Sequence, residues 1–358
     1  MIKWFLIVLF FIISCTEKVG THIYSYTSSS AFVEAKPKDK LLVMIYPPAN
    51  AISTNENPND LKLPPIPAGG EDILQIYHRI LTEKMGEHVL VLRSGLQGSE
   101  GLISQGISHF VLPDEKDLLK MSERDLENYE YKKRFVFSNV HDAKLAKPLT
   151  GTSEIEWKDF KIKIIHYFNF FSFSDDFNKN NKRFLFDDPG ESFMRDWSEA
   201  RKAKFDFIIL SLNIKHRCTF PTTREAINFA QTTTPLSIDC PKDDILAKFL
   251  KFVPPKSVDL IIINGMDKEG RAQYLGNPIV QIPTNGNYAL PVILSSEESR
   301  SNHIVLPYLR LCHRFFKGTL DCHLERDYLE LEAKRLDLIK DSHFSIVPAE
   351  FMGKTVQP

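Results

Sequence analysis

"VDLIIINGMDKEG", residues 258–270, decides how this chain is read. Val258 to Ile263 form an apolar run broken only by Asp259, of strand length and too short for a free-standing helix. Gly265 supplies a turn directly after it. In layered α/β folds, strands that end in such turns are where ligands are held. The side chains at this end are Met266, Asp267 and Lys268.

Outward from this stretch, strand-like and helix-like segments alternate. "KLLVMIY" (40–46) and "HVLVLRSG" (88–95) read as strands, with a long loop rich in Pro and Asn after the first. "EDILQIYHRILTEKM" (71–85) places Ile73, Leu74, Tyr77, Ile80 and Leu81 at helical spacing with acids at its start. "DEKDLLKM" begins a short helix, and "RFVFSNV" and "FKIKIIHYF" read as strands. "GESFMRDWSEARKAK" and "DDILAKFLKFV" read as helices on either side of the strand "FDFIILSLN". "PIVQIPTNGNYALPVIL" carries Asn-Gly between two apolar runs and predicts a hairpin. "LERDYLELEAKRLDLI" predicts a charged C-terminal helix. The alternation implies an α/β layered architecture.

The N-terminus reads as an address. "MIKWFLIVLFFIISC" has Lys3, an unbroken apolar run and then Cys15. The run is short of the roughly 20 residues that span a bilayer, and it fits the core of a signal peptide. "IISC" resembles the lipobox of bacterial lipoproteins. The resemblance implies cleavage of residues 1–14 and a lipid on Cys15, the chain's link to the membrane. It implies a place on the cell envelope, and Thr16 favours the outer membrane. The polar, serine-rich residues 15–39 read as a tether. With 358 residues and a net charge of -1, the chain has no basic block, P-loop or repeat, so no nucleic-acid partner is expected.

Cys218, Cys240, Cys312 and Cys322 remain, an even number in an oxidising compartment, which implies disulfides. Nearest-neighbour pairing joins Cys218 to Cys240 and Cys312 to Cys322; the other two connectivities stay open. Zinc held by Cys312, His313, Cys322 and His323 is the competing reading of the second pair.

The order of segments over residues 40–295 resembles the N-terminal domain of the 5'-nucleotidase branch of the calcineurin-like metallophosphoesterases. "LVLRSGLQGS" (90–99) is similar to that family's second motif loop and "QGISHFVLPDEKDLL" (105–119) to its third. "FVFSNV", "FDFIILSLN" and "VDLIIINGMDK" are similar to the strand ends that follow. The resemblance implies a metallophosphoesterase-like layered sandwich of two mixed β-sheets flanked by helices, with residues 296–358 as a helical extension packed on it.

The family's chemistry uses two divalent metals about 3.5–4 Å apart, which activate water and clamp phosphoryl oxygens. Laid over this chain, its metal and catalytic positions fall on Pro48, Asn50, Leu96, Ile107, Ser108, Leu212, Met266 and Lys268. Pro, Leu and Ile carry no donor atom, a thioether suits Mn or Zn poorly, and an ammonium repels a cation. Only Asn50 retains a metal donor of the family's kind. The expectation is therefore a phosphoesterase-like fold without its metals or any other cofactor, serving as a binding or scaffold protein with an envelope protein partner. The alternative is an active phosphoesterase of the nucleotidase type with an altered metal site, built from His109, Asp114, His141, Asp142, His166 or His216. The family's C-terminal base-stacking domain does not fit in the sixty or so residues after 295. The pairs Asp175–Asp176 and Asp187–Asp188 read as solvated acids framing a loop insertion, "FNKNNKRFLF", whose phenylalanines either mark an interface or pack beneath the loop.

Overall fold

The computed structural model describes residues 40–47, 78, 88–96, 109–121, 133–144, 147–149, 153–221, 237–266, 268–283, 288–296, 303–305, 309–310, 314–316 and 344–346. In chain order the elements begin with β1 (Lys40–Tyr46), β2 (Val89–Ser94), β3 (His109–Leu112), α1 (Glu115–Lys120), β4 (Val140–Asp142) and β5 (Lys147–Pro148). Next come β6 (Glu154–Trp157), β7 (Phe160–Phe168), α2 (Asp175–Asn180), β8 (Phe184–Phe186), α3 (Pro189–Ala203), β9 (Phe207–Asn213) and α4 (Ile245–Leu250). The last are β10 (Leu260–Met266), β11 (Gly270–Tyr274), β12 (Asn277–Pro283), β13 (Tyr288–Ser295), β14 (Ile304–Val305), β15 (Leu309–Arg310), β16 (Arg314–Phe316) and β17 (Phe344–Ile346).

Two mixed sheets form the sandwich, as the α/β reading expects. One runs β14-β13-β1-β2-β3, with β15 also on β13; the other runs β11-β12-β10-β9-β7-β6. In the first, β1, β2 and β3 are parallel; in the second, β7, β9, β10 and β12 are parallel. Side chains alternate across each strand. Ile162 and Ile164 of β7, Ile209 of β9 and Ile262 of β10 face Val43, Leu92 and Val292 in the core between the sheets. Residues of the other parity, such as Leu210 and Ile261, pack under α3 and α4 with Phe193 and Phe249. Asp188 caps α3, Pro189 occupies its first turn, and Lys204 ends it in the left-handed conformation.

The predicted Asn-Gly hairpin is corrected. β12 and β13 belong to different sheets, because β12 already has β11 on one edge and β10 on the other. β13 lies antiparallel on β1 instead. The hairpin is one element earlier: β11 turns into β12 through Leu275 and Gly276, with φ of 48° and 79°, as a two-residue primed turn requires.

"RFVFSNV" is not a full strand. It reduces to a bridge from Phe135 to Val111 and to the start of β4. Asn139 explains the break: its side chain donates to Phe168 O (2.8 Å) and Asp187 O (2.9 Å) and accepts from Phe168 N (3.0 Å). It does the work of a ladder while standing outside one.

The aromatic insertion is also not a loop. It forms α2 and then β8, which pairs with β4 in a small sheet β5-β4-β8. Phe168, Phe177 and Phe184 pack there with Val111, Phe135 and Phe137 in a third core. Asp175 and Asp176 open α2, and Asp188 is a helix cap rather than a loop acid.

Past Ser295 the chain does not turn at once into a helical extension. Ile304–Val305 and Leu309–Arg310 continue the first sheet. Buried His303 ties this segment down, with Nε2 2.8 Å from Asp259 Oδ1 and Nδ1 accepting from Ser295 N. The charged helix expected beyond it lies outside the described residues. So does the helix expected over 71–85, except His78, which is helical. Cys15, the residues before it, the tether, Cys312 and Cys322 also lie outside.

Cys218 and Cys240 form a disulfide, the nearest-neighbour pairing. It closes a loop of sequence separation 22, so the Cys218→Ser/Cys240→Ser variant is expected to be less stable by about 3 kcal/mol. Urea unfolding of both forms checks this.

Candidate functional site

Parallel strands end together at one mouth of the sandwich. Both sheets open there, because His166 near the end of β7 meets the backbone just past β3: its Nε2 lies 2.8 Å from Pro113 O. A carbonyl only accepts, so Nε2 carries the proton. Burial holds the His166 pKa down, at about 4, partly offset by this hydrogen bond. The ring is therefore neutral near pH 7, and Nδ1 is an acceptor. Ser211 Oγ, 2.9 Å away, donates to it and in turn accepts from Asn264 Nδ2 at 2.7 Å. His166, Ser211 and Asn264 continue the parity of Ile164, Ile209 and Ile262, so this polar chain caps the core between the sheets. All three are almost fully buried. A serine hydrogen-bonded to a histidine is the pairing that nucleophilic catalysis uses, yet neither side chain meets solvent.

Beside it lies a second buried polar group. Asp117 accepts from Asp114 N and Leu96 N, both at 2.9 Å, and Asp114 Oδ1 accepts from Asp117 N at 2.8 Å. This capping box starts α1 and fastens the turn after β2 to it. Burial and the neighbouring Asp114 raise the Asp117 pKa. On the far face of the first sheet, Tyr46 and Arg93 are register partners and both fully buried.

Four of the positions matched to metal and catalytic residues are described. Leu212 is 2% exposed and sits in the apolar cluster beneath α3 and α4. Met266 packs against the same cluster. Leu96 packs against the third core, and Lys268 is exposed. The structure thus brings Leu212 and Met266 together, as hydrocarbon and thioether in one apolar layer, and places Leu96 and Lys268 elsewhere. Pro48, Asn50, Ile107 and Ser108 lie outside the described residues. The strand of the opening motif runs one residue past its glycine. Gly265, at φ 92°, sits in an irregularity between Ile263 and Met266, not in a free turn.

The relocated donors are each committed to separate partners. His141 Nε2 meets Asp187 Oδ2 at 2.7 Å, and Asp142 meets Arg183 Nη2 at 2.7 Å. His216 Nε2 meets Gln281 Oε1 at 2.8 Å. Asp114 caps α1, and His109 is buried on β3. Among the described residues, the group of three or more His, Cys, Asp or Glu within ligating reach is Cys218, Cys240 and Asp244. Its two sulfurs are bonded to each other. The described residues therefore do not fit a pair of divalent metals.

Ser211, Asn264, Asn139 and Asp117 were not singled out from the sequence. The first two had a legible signal: each is a polar residue at inward parity in an otherwise apolar strand. Asn139 had none, because its partners are backbone groups distant in sequence; Asp117 stands three residues after Asp114, the spacing of a capping box, but its bond to Leu96 N was not readable.

No protein-family model and no curated protein matches the chain. Solved structures do resemble it. A putative 5'-nucleotidase from Staphylococcus aureus is 13% identical with a TM-score of 0.49, over 83% of this chain and 58% of that one. A Haemophilus influenzae NAD nucleotidase is 13% identical with a TM-score of 0.49, over 85% and 57%. The calcineurin-like phosphoesterase YfkN from Bacillus subtilis is 12% identical with a TM-score of 0.40, over 76% and 90%. The chain thus matches less than two thirds of the length of the two nucleotidases. It is similar in fold, at low identity, to 5'-nucleotidases and calcineurin-like metallophosphoesterases.

Proposed function

We propose that this chain is an envelope lipoprotein that keeps a phosphoesterase-like fold without the dinuclear metal centre, and that it works by binding rather than by hydrolysis. The observation that carries the reading is that Leu212 is buried in an apolar cluster and Met266, half-buried, packs against it. A cation there would meet hydrocarbon and a thioether, and the cost of leaving water would go uncompensated. Lys268 adds a positive charge at the neighbouring position, which opposes a cation further. The polar residues nearby serve the fold: His166, Ser211 and Asn264 form one hydrogen-bonded chain, and Asp117 holds a loop.

The lipid on Cys15 would hold the domain at the membrane, and a protein partner in the envelope is the expected target. An active hydrolase would instead need three donors converging on one point. The arrangement of His141, Asp142 and His216, each with its own partner, disfavours that.

The test is direct. The full chain in detergent with Mn²⁺ is expected to hydrolyse bis(p-nitrophenyl) phosphate and nucleoside monophosphates no faster than buffer. Metal-dependent turnover that tracks the purified chain would overturn the reading. Cys15→Ser is expected to abolish incorporation of labelled fatty acid in the host; retained label would refute the anchor.

A further inference from the structure

Two exposed phenylalanines share one groove. Phe171 is 67% exposed and Phe252 41%, and both line a cavity of about 470 Å³ with Asn169, Asp188, Pro189, Gly190, Ile245, Lys248 and Phe249. That volume suits a small ligand. The walls are largely apolar, and one of them is a close approach of a ring to a glycine. A Cβ on Gly190 would stand 2.5 Å from the Phe252 ring, so glycine lets that ring pack against the first turn of α3.

The polar groups that reach the groove favour an anion. Asn169 is 5% exposed. Its Oδ1 accepts from Phe171 N at 3.1 Å, while its Nδ2 makes no hydrogen bond among the described residues. Lys248 makes no ion pair among them either. The Asp188 carboxylate is engaged, accepting from Gly190 N (2.9 Å) and Glu191 N (3.0 Å) at the positive end of α3. Of the two charged side chains that line the groove, Asp188 is held on the α3 amides, while the exposed Lys248, whose charge also acts on Asp243, makes no ion pair among the described residues and is the group placed to meet an anion.

We propose that this groove binds a small aromatic carboxylate, its ring between Phe171 and Phe252 and its carboxylate on Lys248 and the Asn169 amide. Ring-on-ring contact with two phenylalanines favours an aromatic body over an aliphatic one. One ammonium and one amide match the single charge of a carboxylate better than the multiple charge of a phosphate. The site gives the binding reading above a place and a ligand class. It rests on that reading only in taking the chain as a binder, since none of its residues is matched to a metal ligand.

The probe is 2-naphthoate, titrated calorimetrically into the full chain in detergent. A saturable site with Kd of about 1 mM or tighter is expected, in line with the efficiency of small ligands. 2-Naphthamide, and the Lys248→Ala variant with naphthoate, should each bind about fivefold more weakly or worse. Phe252→Ala should lose about tenfold. Lys248 is a surface residue, so its variant stays informative if Phe252→Ala fails to fold. No saturation by about 10 mM, well beyond the affinity expected of such a ligand, overturns the proposal. So does equal binding by Lys248→Ala, and so does naphthamide binding as tightly as naphthoate, which would mean an uncharged occupant such as an apolar side chain of a partner protein. Metal content is read separately, so a silent groove leaves the account of the metal positions standing.

Discussion

His166→Gln is expected to lower stability at pH 7.5 by about 2–4 kcal/mol, and the gap to the native chain is expected to narrow as pH falls. The first part follows from burial. His166 is fully buried and satisfies Pro113 O and Ser211 Oγ; a replacement of different shape leaves one of them unpaired. The second part follows from linkage. The folded-state pKa of His166 is depressed to about 4 from 6.5. Between these values the unfolded chain takes up a proton that the folded chain refuses. Stability from this residue is complete above pH 6.5 and is lost as pH falls towards 4, by about 3 kcal/mol in all. Glutamine does not titrate, so the variant escapes that loss. Asp117, whose pKa is raised, acts in the opposite sense: its contribution falls as pH rises from 3.8 towards its folded value. The native chain alone therefore mixes two slopes, and the difference between native and variant isolates one. Urea midpoints at several pH values supply it. Parallel curves for the two proteins would refute the buried neutral histidine.

Asp142→Ala is expected to cost about 3–5 kcal/mol. Asp142 is fully buried, and Arg183 reaches it with Nε at 2.8 Å and Nη2 at 2.7 Å. Asp142 Oδ1 also accepts from Lys144 N at 2.9 Å. Removing the carboxylate leaves a guanidinium that is only 15% exposed without its counter-charge. The pair joins β4 to the segment leading into β8, so the small sheet over the third core should loosen first. Hydrogen exchange at Val140 to Asp142 would then rise ahead of exchange in β9. A variant within about 1 kcal/mol of the native chain would show that water reaches Arg183 freely.

The sheets were largely legible in the sequence. β1, β2, β7 and β9 are apolar runs of strand length that form where their pattern says, while β10 starts at Leu260 and runs through Gly265 to Met266. The errors share a cause. Asn285-Gly286 is a turn signal in the sequence, but a local signal does not say which sheet has a free edge, and β12 had none. "RFVFSNV" has the composition of a strand, while Asn139 spends its hydrogen bonds on Phe168 and Asp187, 29 and 48 residues away. The insertion looked like a loop because its strand, β8, is three residues long and paired to a segment far upstream. At the positions matched to metal ligands, the side chains Leu96, Leu212 and Met266 were readable directly. Their surroundings were not. That Leu212 and Met266 share a cluster while Leu96 joins another depends on strand parity and on helices that close the layer from outside. The groove of Phe171 and Phe252 was invisible for the same reason, since its walls come from three separate elements.

One measurement bears most directly on the reading of the metal positions: metal content by elemental mass spectrometry. The full chain would be purified in detergent without chelator after exposure to Mn, Zn and Fe. Less than about a tenth of an equivalent of any of them is the predicted result, because the proposed reading puts Leu212, Met266 and Lys268 where a dinuclear centre needs oxygen and nitrogen donors. One or two tightly held equivalents would contradict it, and would mean that donors converge in this chain at a point other than the one its strand ends mark.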